Sequence, residues 1–106
     1  MSVIQCHTKE DFDKQLCDAG QKLVVVDFYA TWCGPCKVIG PKVAAMSGEY
    51  KNAVFLKVDV DENSDTTEKH GISAMPTFLF FKDGQKVDEL VGASEAKLRE
   101  MIEKNI

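Results

Sequence analysis

The sequence predicts a three-layer α/β domain, a β-sheet sandwiched between helices, with elements in the order βαβαβαββα. Three observations predict it. Leu23 to Tyr29 and Val54 to Val60 are near-continuous apolar runs rather than alternating ones, as in strands buried on both faces. Segments with apolar residues three and four apart separate these runs, which implies helical crossovers and parallel pairing. Asp83-Gly84, between Thr77–Phe81 and Lys86–Val91, is a strong hairpin signal. A chain of 106 residues can bury a core of its own, and the expectation is one domain over 1–106 without linker, repeat or low-complexity segment.

Each element has a local reason. Val3 to Cys6 is a short apolar strand. Thr8 can cap a helix, with Asp11 placed as in a capping box; Phe12, Leu16 and Ala19 give it an apolar face, and Gly20 ends it. After the strand Leu23–Tyr29, the residues Cys36, Ile39, Val43, Met46 and Tyr50 form a helical stripe. Gly40-Pro41 interrupts it and predicts a kink, but the pattern continues in phase. Because the stripe begins at Cys36, Cys36 is expected to be more buried than Cys33, at the exposed rim of the first turn. A weakly amphipathic helix is expected from about Glu62 to His70, ended by Gly71. Pro76 opens the strand Thr77–Phe81, and Lys86–Val91 is its hairpin partner. Gly92 breaks that strand, and Ser94 caps a last helix carrying Leu98, Met101 and Ile102.

Composition narrows the function classes. A net charge of −4 argues against nucleic acid or an anionic membrane as partner. Asp59, Asp61, Glu62, Asp65 and Glu68 form an acidic run, read either as a solvated surface or as a patch that steers a basic partner. The aliphatic and aromatic runs, Leu23–Val26 and Phe78–Phe81, are too short to span a bilayer. No basic segment followed by a long apolar one opens the chain, so no signal peptide is expected, and a reducing intracellular compartment is. Four cysteines, unevenly spread, do not make a disulfide scaffold. Cys6 reads as a small buried hydrophobe. Cys17 can reach the surface, where a minor oxidation or dimerisation role stays open. His7 and His70 read most simply as surface residues.

The chemistry gathers at Thr31-Trp32-Cys33-Gly34-Pro35-Cys36-Lys37, where a strand hands over to a helix. Residues i and i+3 of a helix have Cβ atoms about 5–6 Å apart, and a disulfide asks for roughly 3.5–4.5 Å, so a small adjustment closes the ring. Cys33 lies where free backbone N–H groups and the helix dipole favour an anion, worth up to ~2 kcal/mol or about 1.5 pKa units. It is the candidate nucleophile. Cys36, buried, is the candidate resolving thiol and needs help to lose its proton. Asp27 is the candidate helper: a carboxylate within Val-Val-Val-Asp-Phe is costly to bury. Its alternative is a strand-end residue facing water. Pro35 fixes φ and lacks an N–H, both tolerated in a first helical turn. Pro76 read alone is a plain strand-start proline. Trp32 can be a core residue, or, directly before a reactive cysteine, part of a docking face.

WCGPC at 32–36, the Met75-Pro76-Thr77 segment and the overall length together resemble the thioredoxin family, in particular its animal-type cytosolic members. The resemblance covers nearly the whole chain. It implies the thioredoxin fold, with a mixed central sheet, and a protein-disulfide reductase cycling between the Cys33/Cys36 dithiol and disulfide. It links Asp27 to deprotonation of Cys36, with Lys57 close to Asp27, and assigns Gly34 and Pro35 to redox tuning. It implies a cis Met75–Pro76 bond facing the dithiol, which would block metal ligation there. Trp32, Met75, Pro76, Gly92 and Ala93 would form a shallow substrate-docking surface. It further implies electrons from NADPH through a flavin-containing thioredoxin reductase, disulfide-containing proteins as substrates, no bound cofactor, and a cytoplasmic monomer with nuclear entry left open. Ala74 departs from the cysteine some animal members carry there, and Thr66-Thr67 from a more apolar third helix.

Three other functions share parts of this pattern. A zinc module using C-x-x-C lacks a second matching ligand pair among Cys6, Cys17, His7 and His70. A non-catalytic, redox-dependent partner-binding module would hold a partner without turnover. A disulfide oxidant or isomerase is disfavoured by Pro35.

Overall fold

The computed structural model describes residues 3–106. Five strands form one sheet in the order β1-β3-β2-β4-β5: β1 is Ile4–Gln5, β2 Leu23–Tyr29, β3 Ala53–Asp59, β4 Thr77–Lys82 and β5 Gln85–Val91. β1, β3 and β2 run parallel, β4 pairs antiparallel with β2, and β5 antiparallel with β4. The sheet is therefore mixed. Among the described residues there are four helices: α1 Lys9–Ala19, α2 Gly34–Glu49, α3 Ser64–Lys69 and α4 Glu95–Asn105.

The side-chain alternation of β2 divides the core. Leu23 and Val25 face Ile39, Val43 and Met46 of α2 and Leu98 and Ile102 of α4. Val24, Val26 and Phe28 face the other way, onto Phe12 of α1. Six of the seven residues of β2 are buried, with β3 on one side of it and β4 on the other.

Local chemistry sets the ends of the elements. Thr8 Oγ1 accepts from the N–H of Asp11 at 3.1 Å, the expected cap of α1, while the Asp11 carboxylate accepts at 3.1 Å from the N–H of His7, one residue before the position a capping box would use. Asp83 and Gly84 both have positive φ, 53° and 78°, the backbone a two-residue hairpin turn requires. α2 runs unbroken past Pro41.

The structure corrects some boundaries. β1 is two residues long, not four. β3 begins and ends one residue earlier than expected. α3 is shorter than 62–70, because Asn63 and not the Glu62 region starts it: its Oδ1 accepts from Thr66 N–H at 3.3 Å while its Nδ2 donates to Cys6 O at 3.1 Å. His70 is not a simple surface residue. Its ring packs edge-on against Phe12 and Phe81, at centroid distances of 5.4 and 5.5 Å, and Nε2 is buried without a partner. Cys6 is fully buried, and burial pushes its thiol up to about 11.

Candidate active site

The sheet twist and the β2–α2 turn bring three loops to one end of the molecule. β2 ends at Tyr29, Ala30 stays buried, and the turn through Thr31 and Trp32 delivers Cys33 as the N-cap of α2. Cys33 and Cys36 form a disulfide with Cα atoms 5.3 Å apart. The N–H of Cys36 points at Cys33 Sγ, 3.3 Å away. That N–H is one of the first-turn donors a helix leaves unused, so a thiolate formed on Cys33 inherits a hydrogen bond and the positive end of the helix. Pro35 sits in this first turn, where its missing N–H costs no helical bond. Gly34 opens the helix, and a Cβ built there meets nothing within 4 Å.

The expected difference in burial between the two cysteines is absent. Both are 6% exposed. Tyr29, Val60 and Met75 pack against the pair, and their cover is supplied by residues distant in sequence, which the helical stripe could not reveal. What distinguishes the sulfurs is their surroundings. Cys33 Sγ lies 3.8 Å from the carbonyl oxygen of Met75, on the side of the 75–76 loop. Cys36 lines a cavity with Asp27 and Lys57 beneath the helix.

Asp27 has the same orientation as Leu23 and Val25, toward α2, so the strand-end alternative does not hold: it is 6% exposed and buried within the sheet. It pairs in register with Lys57 of β3 on one side and Phe78 of β4 on the other. Its Oδ1 has no hydrogen-bond partner. Burial raises its pKa to about 7, opposed in part by the Lys57 ammonium. A carboxyl with that value exchanges protons readily at neutral pH.

On the other side, Met75–Pro76 is cis, unlike an ordinary strand-start proline, and Pro76 O accepts from Gly92 N–H at 2.9 Å. Gly92 has φ +110°, a conformation L side chains rarely adopt. The 75–76 loop and the end of β5 are thereby held together, with Ala93 exposed just beyond. Trp32 is 67% exposed and so is no core residue; its Nε1–H donates to Asp61 Oδ2 at 2.9 Å. Asp61 appeared in the sequence only as part of an acidic run. Nothing local marks it as the partner of an indole 29 residues away. Asp59 shapes the loop that carries it, accepting from Asp61 N–H at 2.9 Å. Among the described residues, no group of three or more His, Cys, Asp and Glu is placed to hold a metal ion.

A reversible disulfide across the first turn of a helix, beside a cis-proline loop and above a buried carboxyl, defines a thiol–disulfide oxidoreductase with the redox couple in its own chain. The thioredoxin family model matches residues 3–104. Thioredoxin of Geodia cydonium is 57% identical over 99 residues, 92% of this chain and 93% of the relative. Thioredoxin of Equus caballus is 53% identical over 100 residues, 94% and 95% of the two chains. The X-ray structure of Fasciola hepatica thioredoxin superposes with a TM-score of 0.97 at 45% identity, covering 98% of this chain and 100% of the other. The reduced Schistosoma mansoni thioredoxin pre-protein gives 0.96 at 49% identity, with both chains fully covered. The chain belongs to the thioredoxin family. It is a protein-disulfide reductase that uses the Cys33–Cys36 dithiol–disulfide couple.

Proposed function

We propose that Cys33 attacks, Cys36 resolves and Asp27 governs the proton of Cys36. In the reduced protein, the Cys33 thiolate attacks one sulfur of a substrate disulfide. A Cys33–substrate mixed disulfide forms, and the other substrate sulfur leaves as a thiolate that takes up a proton. Asp27, ionised, accepts the proton of Cys36 through their shared cavity. The Cys36 thiolate then attacks Cys33 Sγ, which closes the Cys33–Cys36 disulfide and expels the second substrate thiolate. Two electrons pass to the substrate, and the protein is left oxidised. The observation that carries this reading is the unpartnered, buried Asp27 carboxyl on the Cys36 side of the pair. Lys57 moderates that carboxyl, and Gly34 and Pro35 set the ring's redox poise.

The docking face comprises Trp32, Met75, Pro76, Gly92 and Ala93. Here the backbone of Met75, beside Cys33, would meet the extended chain around a substrate disulfide. Regeneration requires two electrons from outside, supplied by NADPH through a thioredoxin reductase. The setting is the cytoplasm, where such a monomer would serve redox homeostasis and electron transport to reductive enzymes, with entry to the nucleus also open. NADPH oxidation coupled to reduction of a model protein disulfide, with and without thioredoxin reductase, tests this. Turnover is expected only when protein and reductase are both present. Its absence with both would overturn the reading.

A further inference from the structure

A cavity of about 610 Å³ opens beneath α2, against β2 and β3. Its size falls within the roughly 300–1,000 Å³ of small-ligand sites. Val3, Val43 and Ala44 give it an apolar wall, while Asp27, Lys37 and Lys57 bring charge to it. Asp27 lines the cavity, and its carboxyl, which carries a buried Oδ1 without a hydrogen-bond partner, lies beside the Lys57 ammonium. We propose that this cavity binds a small amphipathic carboxylate, its hydrocarbon part on Val3, Val43 and Ala44 and its anionic head between Lys37, Lys57 and the O–H of the Asp27 carboxyl.

Charge decides the class of ligand. Two lysines and one carboxyl line the cavity, so its charge disfavours an organic cation, and a plain hydrocarbon would leave the lysines without a counter-charge. Beside Asp27 stand Lys57 from β3, the Tyr29 phenol from β2 and apolar Phe78 from β4, and α2 brings Lys37 and Cys36 to the same cavity. Tyr29 donates to Gln5 Oε1 at 3.1 Å, and Cys36 in the disulfide has no proton to lose. Asp27, raised by burial to about 7, changes charge between pH 6 and pH 8. A bound anion favours its protonated form, and by reciprocity protonation tightens the anion. With a value of about 7, Asp27 passes from about one-tenth to about nine-tenths protonated between pH 8 and pH 6, so an anion that binds only the protonated form binds roughly tenfold tighter at pH 6. On the reductase reading, an occupant would also separate Asp27 from Cys36 and slow resolution. Binding itself does not depend on that reading.

The oxidised protein titrated with benzoate, followed by amide NMR shifts at pH 6 and pH 8, tests the site. Saturable shifts at Asp27, Val43 and Lys57 are expected, with affinity roughly tenfold higher at pH 6 and no such shifts with benzylamine. Gly40 lines the cavity and a Cβ there meets nothing within 4 Å, so Gly40→Leu is expected to fill the space and weaken benzoate at least tenfold. If that variant fails to fold, Ala44→Phe on the same wall gives the same readout. No saturable shift, equal affinity at the two pH values, equal binding of benzylamine, or indifference to the filling substitution in a folded variant would each overturn the proposal. None of these outcomes bears on protein-disulfide reduction, which the coupled NADPH assay reads separately.

Discussion

Asp27 stands in a position that the alternation of β2 reserves for an apolar side chain, and the fold bears a cost for it. A folded-state value of about 7 against an ordinary 3.8 means the folded chain binds more protons than the unfolded one between these values. Stability therefore falls as pH rises through that window and levels off above it. Asp27→Asn is expected to raise the unfolding free energy at pH 8, with a ceiling of about 4 kcal/mol, and to change it little at pH 4. Denaturant titrations at the two pH values check this. At the sulfurs, Cys36→Ser removes the group that releases substrate. It is expected to hold substrate on Cys33 as a mixed disulfide stable to non-reducing electrophoresis; release as rapid as in the parent protein would contradict the assigned order. Asp27 was legible in the sequence because a carboxylate amid valines is chemically conspicuous. The equal exposure of Cys33 and Cys36 was not, since Val60 and Met75 cover them from other parts of the chain.

Among the elements, α2 was legible from its apolar stripe. Its stripe from Cys36 to Met46 is continuous, and Pro35 and Pro41 did not obscure it. α3 was harder to read. Its six residues offer no amphipathic pattern, and it depends on Asn63, whose side chain caps the helix and holds the backbone of Cys6. His70 at its end was misread for the same reason: Phe12, Phe28 and Phe81 reach it from other elements. Burial is the chief cause lowering the His70 pKa, with Lys69 adding to it. The unfolded chain then binds more protons than the folded one just below the ordinary histidine value, so stability is lost as pH falls through that value toward the folded one. This is opposite in sign to Asp27. His70→Phe keeps the aromatic packing without the charge, and is expected to lose less stability than the parent between pH 7 and pH 5. Urea unfolding of both proteins at the two pH values checks it; equal losses would remove His70 from the acid response.

The whole molecule places β2 at the centre of the sheet, so the loops after β2, before β4 and after β5 meet at one end. The α/β order was readable from apolar runs and helical spacing. The strand order was not, because a run apolar on both faces carries no record of which neighbour it pairs with, and resemblance supplied it. The proposed docking face likewise draws on three separated segments, and the contact between Trp32 and Asp61 has no local signature. Tryptophan is enriched among the few residues whose truncation costs a protein contact about 2 kcal/mol or more, above a tenfold effect. Trp32→Ala is expected to raise KM for a protein disulfide about tenfold while leaving reduction of a small aromatic disulfide within about twofold. Parallel losses on both substrates would remove Trp32 from docking.

The central claim is that Asp27 serves the second step of the exchange and not the first. Stopped-flow kinetics of reduced wild type and Asp27→Asn, with formation and decay of the mixed disulfide resolved at pH 7, test it most directly. Formation is expected to stay within about twofold and decay to slow about a hundredfold, within the range of general-base catalysis. Equal slowing of both phases, or an unchanged decay, would contradict it.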